Sequence, residues 1–83
     1  MQLEDYQKLA MSTAMYPKGL LGLLYTTLGL TGEAGEVADK VKKIIRDHED
    51  PHSELSEEKK MELAKEIGDV LWYIATLSHE LGF

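Results

Sequence analysis

Apolar residues recur along this chain at steps of three and four, the spacing that gathers them on one face of an α-helix. Leu3, Tyr6, Ala10 and Ala14 open the pattern and predict a first helix over about Leu3 to Met15. Tyr16-Pro17-Lys18-Gly19 ends it, because proline and glycine interrupt helices. A second, longer helix is predicted from about Leu20 to Asp47. Its apolar arc comprises Leu23, Leu30, Ala34, Val37, Ala38, Val41, Ile44 and Ile45. The interior also carries Gly22, Gly29, Gly32 and Gly35. Each glycine costs about 1 kcal/mol against alanine, so the run from Gly29 to Gly32 predicts a kink or the close approach of another helix. His48 to Ser53 reads as a loop. Ser56 is a good N-cap for a third helix, and Glu57 and Glu58 suit the positive end of its dipole. That helix is predicted to run to about Leu81, with Gly82 as its stop. Its arc is Leu63, Ala64, Ile67, Val70, Leu71, Ile74, Ala75, Leu77 and Leu81. Valine and isoleucine are sparse, and none falls in an alternating strand run.

Apolar arcs this wide exceed what a two-helix contact covers, and they suit helices packed against several neighbours. The expected fold class is therefore all-α, a helical bundle of about three helices per chain completed by oligomerisation. Residues 1–83 form one domain. Size points the same way: a chain of 83 residues buries only about 60–65% of its unfolded surface. Small domains compensate with disulfides, metals or association. Cysteine is absent, which excludes disulfides and thiolate metal sites and leaves subunit association, metal binding or both.

Charge narrows the function. Nine Lys and Arg stand against fifteen Asp and Glu, a net charge of −6. So acidic a chain is a poor binder of nucleic acid, which calls for a basic patch. The longest apolar run is too short to span a bilayer, so no membrane association is expected. Met1-Gln2-Leu3-Glu4-Asp5 has no basic and apolar succession of a secretory signal, and a cytoplasmic location is expected.

Two acid pairs stand out, Glu33-x-x-Glu36 on the second helix and Glu66-x-x-Asp69 on the third. Residues three apart share a helix face, so each pair can present two carboxylates to one point. Three further pairs have the same spacing, Glu36/Asp39, Asp47/Asp50 and Glu54/Glu57, and a solvated face is the ordinary reading of any of them. Context separates the first two. They sit inside apolar segments and border the arcs, whereas the others lie at helix ends, in loops or on a charged stretch. If the arcs pack together, four carboxylates line one edge of the seam. Unpaired, they would repel one another and resist desolvation. A hard divalent cation such as Mg²⁺, which takes oxygen ligands, resolves the conflict.

The helical wheels supply neighbours. Glu62, Glu66, Asp69 and Tyr73 form one stripe, and Glu33, Glu36, Lys40 and Lys43 another. Tyr73 can hydrogen-bond or stack on a ligand, or serve as a half-buried core aromatic. Lys40 and Lys43 can meet phosphate oxygens, although Lys40 is also spaced to pair with Glu36 on its own helix. Glu62 is a further ligand or ordinary surface. Trp72 and Tyr16 are base-stacking groups or interface packing. His48, His52 and His79 lack metal-ligand spacing, the serines lack a nucleophile context, and the glycines match no phosphate-cradling loop.

Gly32-Glu33-Ala34-Gly35-Glu36-Val37-Ala38-Asp39, followed by Lys65-Glu66-Ile67-Gly68-Asp69-Val70-Leu71-Trp72-Tyr73, resembles the ExxE…ExxD signature of the MazG-like nucleotide pyrophosphohydrolases, an all-α superfamily. The resemblance covers roughly residues 20 to 81. The spacing departs from it slightly, since 29 residues between Glu36 and Glu66 lie toward the family's long end. The resemblance implies a homodimer or homotetramer that hydrolyses nucleoside or deoxynucleoside triphosphates to the monophosphate and pyrophosphate. By position it makes Glu33, Glu36, Glu66 and Asp69 ligands of Mg²⁺, with Mn²⁺ as a substitute, and Tyr73 a nucleotide contact. Mg²⁺ would neutralise the phosphates, and Glu33 or Glu36 would act as the base toward the attacking water. Two alternatives stay open: a phosphoribosyl-ATP pyrophosphohydrolase activity on the same scaffold, and a non-catalytic helical module for oligomerisation or partner binding.

Overall fold

A computed structural model describes residues 2–47 and 52–83. These residues form three α-helices and no strand: α1 (Leu3–Ser12), α2 (Leu20–Asp47) and α3 (Glu57–Glu80). Among the loop residues expected between α2 and α3, 48–51 lie outside the described residues.

Helix α1 is shorter than its apolar spacing predicts. The Ser12 hydroxyl donates to the Leu9 carbonyl at 2.5 Å, and the Thr13 hydroxyl donates to the Ala10 carbonyl at 3.0 Å. Local side-chain bonds of this kind compete with helix propagation, so the helix stops three residues before Met15. Helix α2 begins after Gly19, whose φ of +69° is left-handed, a conformation that glycine adopts without steric cost. Its threonines donate backwards along the helix: Thr26 to the Gly22 carbonyl at 2.9 Å, Thr27 to Leu23 at 2.8 Å. Thr26 can thus be fully buried with its hydroxyl satisfied. Helix α3 is capped at both ends. The Ser56 hydroxyl accepts from the Lys59 N–H at 3.2 Å. At the other end Gly82 adopts φ +85°, Gly82 N–H donates to the His79 carbonyl, and Phe83 N–H donates to that of Ser78. That pair of bonds is a Schellman motif, which satisfies the last carbonyls.

Helix α3 is the centre of the arrangement, packing on α2 along one side and α1 along another. The Gln7 side chain ties α1 down by donating to the Ala75 carbonyl at 3.1 Å and the Phe83 carbonyl at 3.0 Å. The Trp72 indole N–H donates to the Thr13 hydroxyl at 3.4 Å. The α2–α3 contact fixes the register of the acidic motifs, which lie on facing stretches of the two helices.

Much of the predicted apolar surface has no partner within the chain. Among the described residues only Ala10 and Ala75 are buried hydrophobics. Leu21, Leu24 and Leu28 on α2, and Met61, Ile67, Leu71 and Ile74 on α3, are exposed. The helices spread over 48 × 27 × 18 Å instead of closing around a core.

A carboxylate cluster between two helices

Glu33 on α2 and Glu66 and Asp69 on α3 converge. One carboxylate oxygen from each lies within 4.8 Å of the others. Glu33 and Glu66 are part-buried and Asp69 is exposed, so the cluster has a dry side toward the helix contact and a wet side toward solvent. Burial, then the charges of Asp69 and Glu66, a hydrogen bond to Glu66 and the charge of Glu36 all push the Glu33 carboxyl above its usual range.

The donor set fits a hard cation. Three carboxylates from two elements offer oxygen ligands at one point, and their mutual repulsion is the cost that a cation removes. Glu33, Glu66 and Asp69 are the residues that would hold it.

Glu36, the fourth acid of the motif, is outside this trio. It lines an adjoining open cavity of about 250 Å³, whose wall also includes Asp39, Lys40, Lys43, Lys59 and Glu62. The lysines here are matched by acids. The Lys43 ammonium is 2.7 Å from Asp39 and that of Lys59 is 3.3 Å from Glu62. The hydrogen bond from Lys43, followed by the effect of Lys42, holds Asp39 below the usual aspartate range. Lys40 does not make the same-helix pair with Glu36 that its spacing allows. Its ammonium crosses to α3 and lies 3.5 Å from the Glu66 carboxylate.

Aromatic side chains form the opposite flank. The Tyr73 ring lies against Gly29, where a Cβ would sit 2.2 Å from ring carbon Cε1. The glycine expected to mark a close approach therefore does so, through a tyrosine ring and not through a helix backbone. Trp72 meets Tyr73 edge-on with ring centres 5.1 Å apart, and Tyr16 stacks on Tyr25 at 5.5 Å. Tyr25 joins the two groups. Its ring is 6.3 Å from that of Tyr73, tilted at 49°. Burial, then Tyr25, then the charges of Glu33 and Asp69 raise the Tyr73 phenol. Tyr25 was not singled out in the sequence, although its position one helical turn before Gly29 was the available signal.

The comparisons with known proteins agree with this geometry. The MazG nucleotide pyrophosphohydrolase domain matches residues 22–83, a span that holds all four motif acids and Tyr73. The chain is 44% identical over 86 residues to the "Gene 37 protein" of Mycobacterium phage L5, an alignment that covers 98% of this chain and 73% of that protein. No solved structure matches. With its all-α fold and its acidic pairs on two packed helices, the chain belongs to the MazG nucleotide pyrophosphohydrolase family.

Proposed function

We propose that this protein hydrolyses nucleoside or deoxynucleoside triphosphates to the monophosphate and pyrophosphate in a Mg²⁺-dependent reaction. The observation that carries the reading is the convergence of Glu33, Glu66 and Asp69 across the α2–α3 contact, in a chain of a pyrophosphohydrolase family. A polyanionic substrate and a protein of net charge −6 repel, so the site needs a cation before it can hold phosphate. Mg²⁺ held by Glu33, Glu66 and Asp69 would supply that neutralisation, polarise phosphorus and make water easier to deprotonate.

The chain's own residues divide the remaining work. Glu33, Glu66 and Asp69 would bind the cation, and binding would favour the deprotonated form of Glu33. Glu36 stands one helical turn from Glu33, beside the cavity, and completes the ligand set or takes the proton of the attacking water. Water oxygen bonds to phosphorus, the α–β anhydride bond breaks, and pyrophosphate leaves with the bonding electrons. Lys40 and Lys43 on the cavity wall meet phosphate oxygens. Tyr73, held in the Gly29 notch beside the acids, contacts the nucleoside.

The same reading includes self-association as a homodimer or homotetramer. The chain exposes 6326 Å², whereas a compact monomer of this mass exposes about 5,000 Å². The excess, roughly 1,300 Å², exceeds the ~800 Å² per partner that a stable interface takes. The exposed leucines and isoleucines of α2 and α3 are the surface to be covered.

Pyrophosphate release from a panel of triphosphates, with and without Mg²⁺, tests the activity. Turnover that needs the cation and is lost in Glu66→Gln and Asp69→Asn supports the proposal. Absence of turnover across the panel, with Mg²⁺ affinity unaffected by those substitutions, would leave a non-catalytic helical module as the better description.

A further inference from the structure

Lys40 is the one described cation paired across helices with a member of the carboxylate trio. Its ammonium lies 3.5 Å from the Glu66 carboxylate, and both side chains are part-buried. The same lysine lines the cavity that adjoins the cluster. It therefore stands on the boundary between the point where a cation would sit and the space where phosphate would lie.

The neighbouring lysines behave differently. Lys42 and Lys43 both reach Asp39 on their own helix, and Lys59 reaches Glu62 on its own. These are local pairs within three or four residues on the exposed surface, where screening keeps them weak. Lys40 has Glu36 at the same local spacing, yet its ammonium is found on Glu66. The physical reason is the concentration of negative charge. Three carboxylate oxygens within 4.8 Å attract a cation more strongly than one carboxylate on the cavity wall.

We propose that Lys40 is a built-in counter-cation that occupies Glu66 until a divalent ion displaces it, so that metal entry frees the Lys40 ammonium toward the phosphate-side cavity. This rests on the proposed metal site and adds a positioning role for one residue. Lys40 weakens metal binding by competing for Glu66. On displacement its positive charge joins the cavity wall only once the acids have been neutralised. Metal and lysine thus compete for the negative charge of Glu66, and the order of events is cation first, polyanion second. By linkage, whatever removes Lys40 from Glu66 tightens metal binding by the same factor.

The test is Mg²⁺ and Mn²⁺ affinity by calorimetry, without nucleotide, for the native protein and for Lys40→Met, Lys40→Arg and Lys42→Met. A part-exposed pair predicts that Lys40→Met binds either ion about two- to fivefold more tightly. Lys40→Arg, which keeps the charge, stays near the native value. Lys42→Met removes the same charge from the same helix away from Glu66, and it changes affinity less than Lys40→Met. A second readout is the ¹³C resonance of reductively methylated lysines. On Mg²⁺ addition the Lys40 signal moves to the position of a solvated lysine while that of Lys42 stays. Unchanged or weaker metal binding in Lys40→Met, an equal gain in Lys42→Met, or a Lys40 signal indifferent to Mg²⁺ overturns the proposal alone. Failure of the native protein to bind either ion overturns it together with the metal site.

Discussion

At the scale of single residues, the most constrained position is Gly29. Its missing side chain is the space that the Tyr73 ring occupies. An added methyl has to move an aromatic ring wedged beside Trp72 and Tyr25, and forced overpacking of this kind costs about 1–3 kcal/mol. Alanine's better helix propensity returns about 1 kcal/mol of it. Gly29→Ala is therefore expected to destabilise by up to about 2 kcal/mol in urea denaturation, and to raise KM more than it lowers kcat, because Tyr73 shifts while the carboxylates stay. Gly32, Gly35 and Gly68 differ, since a Cβ at each meets nothing within 4 Å in the chain.

Glu33 sets a second expectation at this scale. Its carboxyl titrates above the ordinary glutamate range in the fold, chiefly through burial and then through Asp69 and Glu66. Between the unfolded and the folded value, the unfolded chain has lost a proton that the folded chain keeps. Stability from this group is thus complete below the ordinary glutamate range and is lost as pH rises through the raised value. Thermal melts of the cation-free protein should show a falling midpoint across that window. Glu33→Gln, which cannot titrate, should flatten that part of the profile. Mg²⁺ affinity should rise over the same window, because the cation needs the proton gone.

Helices are the level at which sequence was most informative. The start of α2, the Ser56 cap and the Gly82 stop all follow from local rules, and each is visible as a hydrogen bond or a left-handed glycine. Ser56→Ala removes the acceptor for the Lys59 N–H and should cost about 1 kcal/mol, measurable as a loss of helicity and of melting midpoint. The shortfall at α1 was legible in principle, in the adjacent Ser12 and Thr13, but periodicity alone overlooks hydroxyls that bond backwards. The candidate site divides along the same line. Which acids lie on which face follows from spacing within one helix. Which of them meet depends on the rotation of α2 against α3, a quantity no single-helix wheel contains. That rotation brings Glu33 to Glu66 and Asp69 and turns Glu36 toward the cavity. It also sends Lys40 across to Glu66 instead of back to Glu36. The role of Tyr25 was hidden for the same reason, because its partner Tyr73 lies on the other helix.

For the whole molecule the controlling fact is the shortage of interior. An 83-residue chain in which alanines are the only buried apolar side chains among those described has little to set against conformational entropy. The exposed stripes along α2 and α3 therefore carry the predicted subunit contact. Leu21→Glu with Leu28→Glu places two charges on a surface that is 62% exposed at each position in the chain. In a lone protomer such surface changes stay within about 0.5 kcal/mol. Across a subunit interface they desolvate unpaired charge, and light scattering should then report a fall in molecular mass. The double variant should also melt earlier than the native protein at equal concentration.

The thin interior also bears on how the protein behaves when little of it is present. If most of the hydrophobic contacts lie between chains, assembly and folding are one equilibrium, and its position depends on how much protein is in the tube. Dilution would then unmake the protomer as well as separate it. The melting midpoint would climb with concentration, and turnover per chain would sag in assays run at very low enzyme levels.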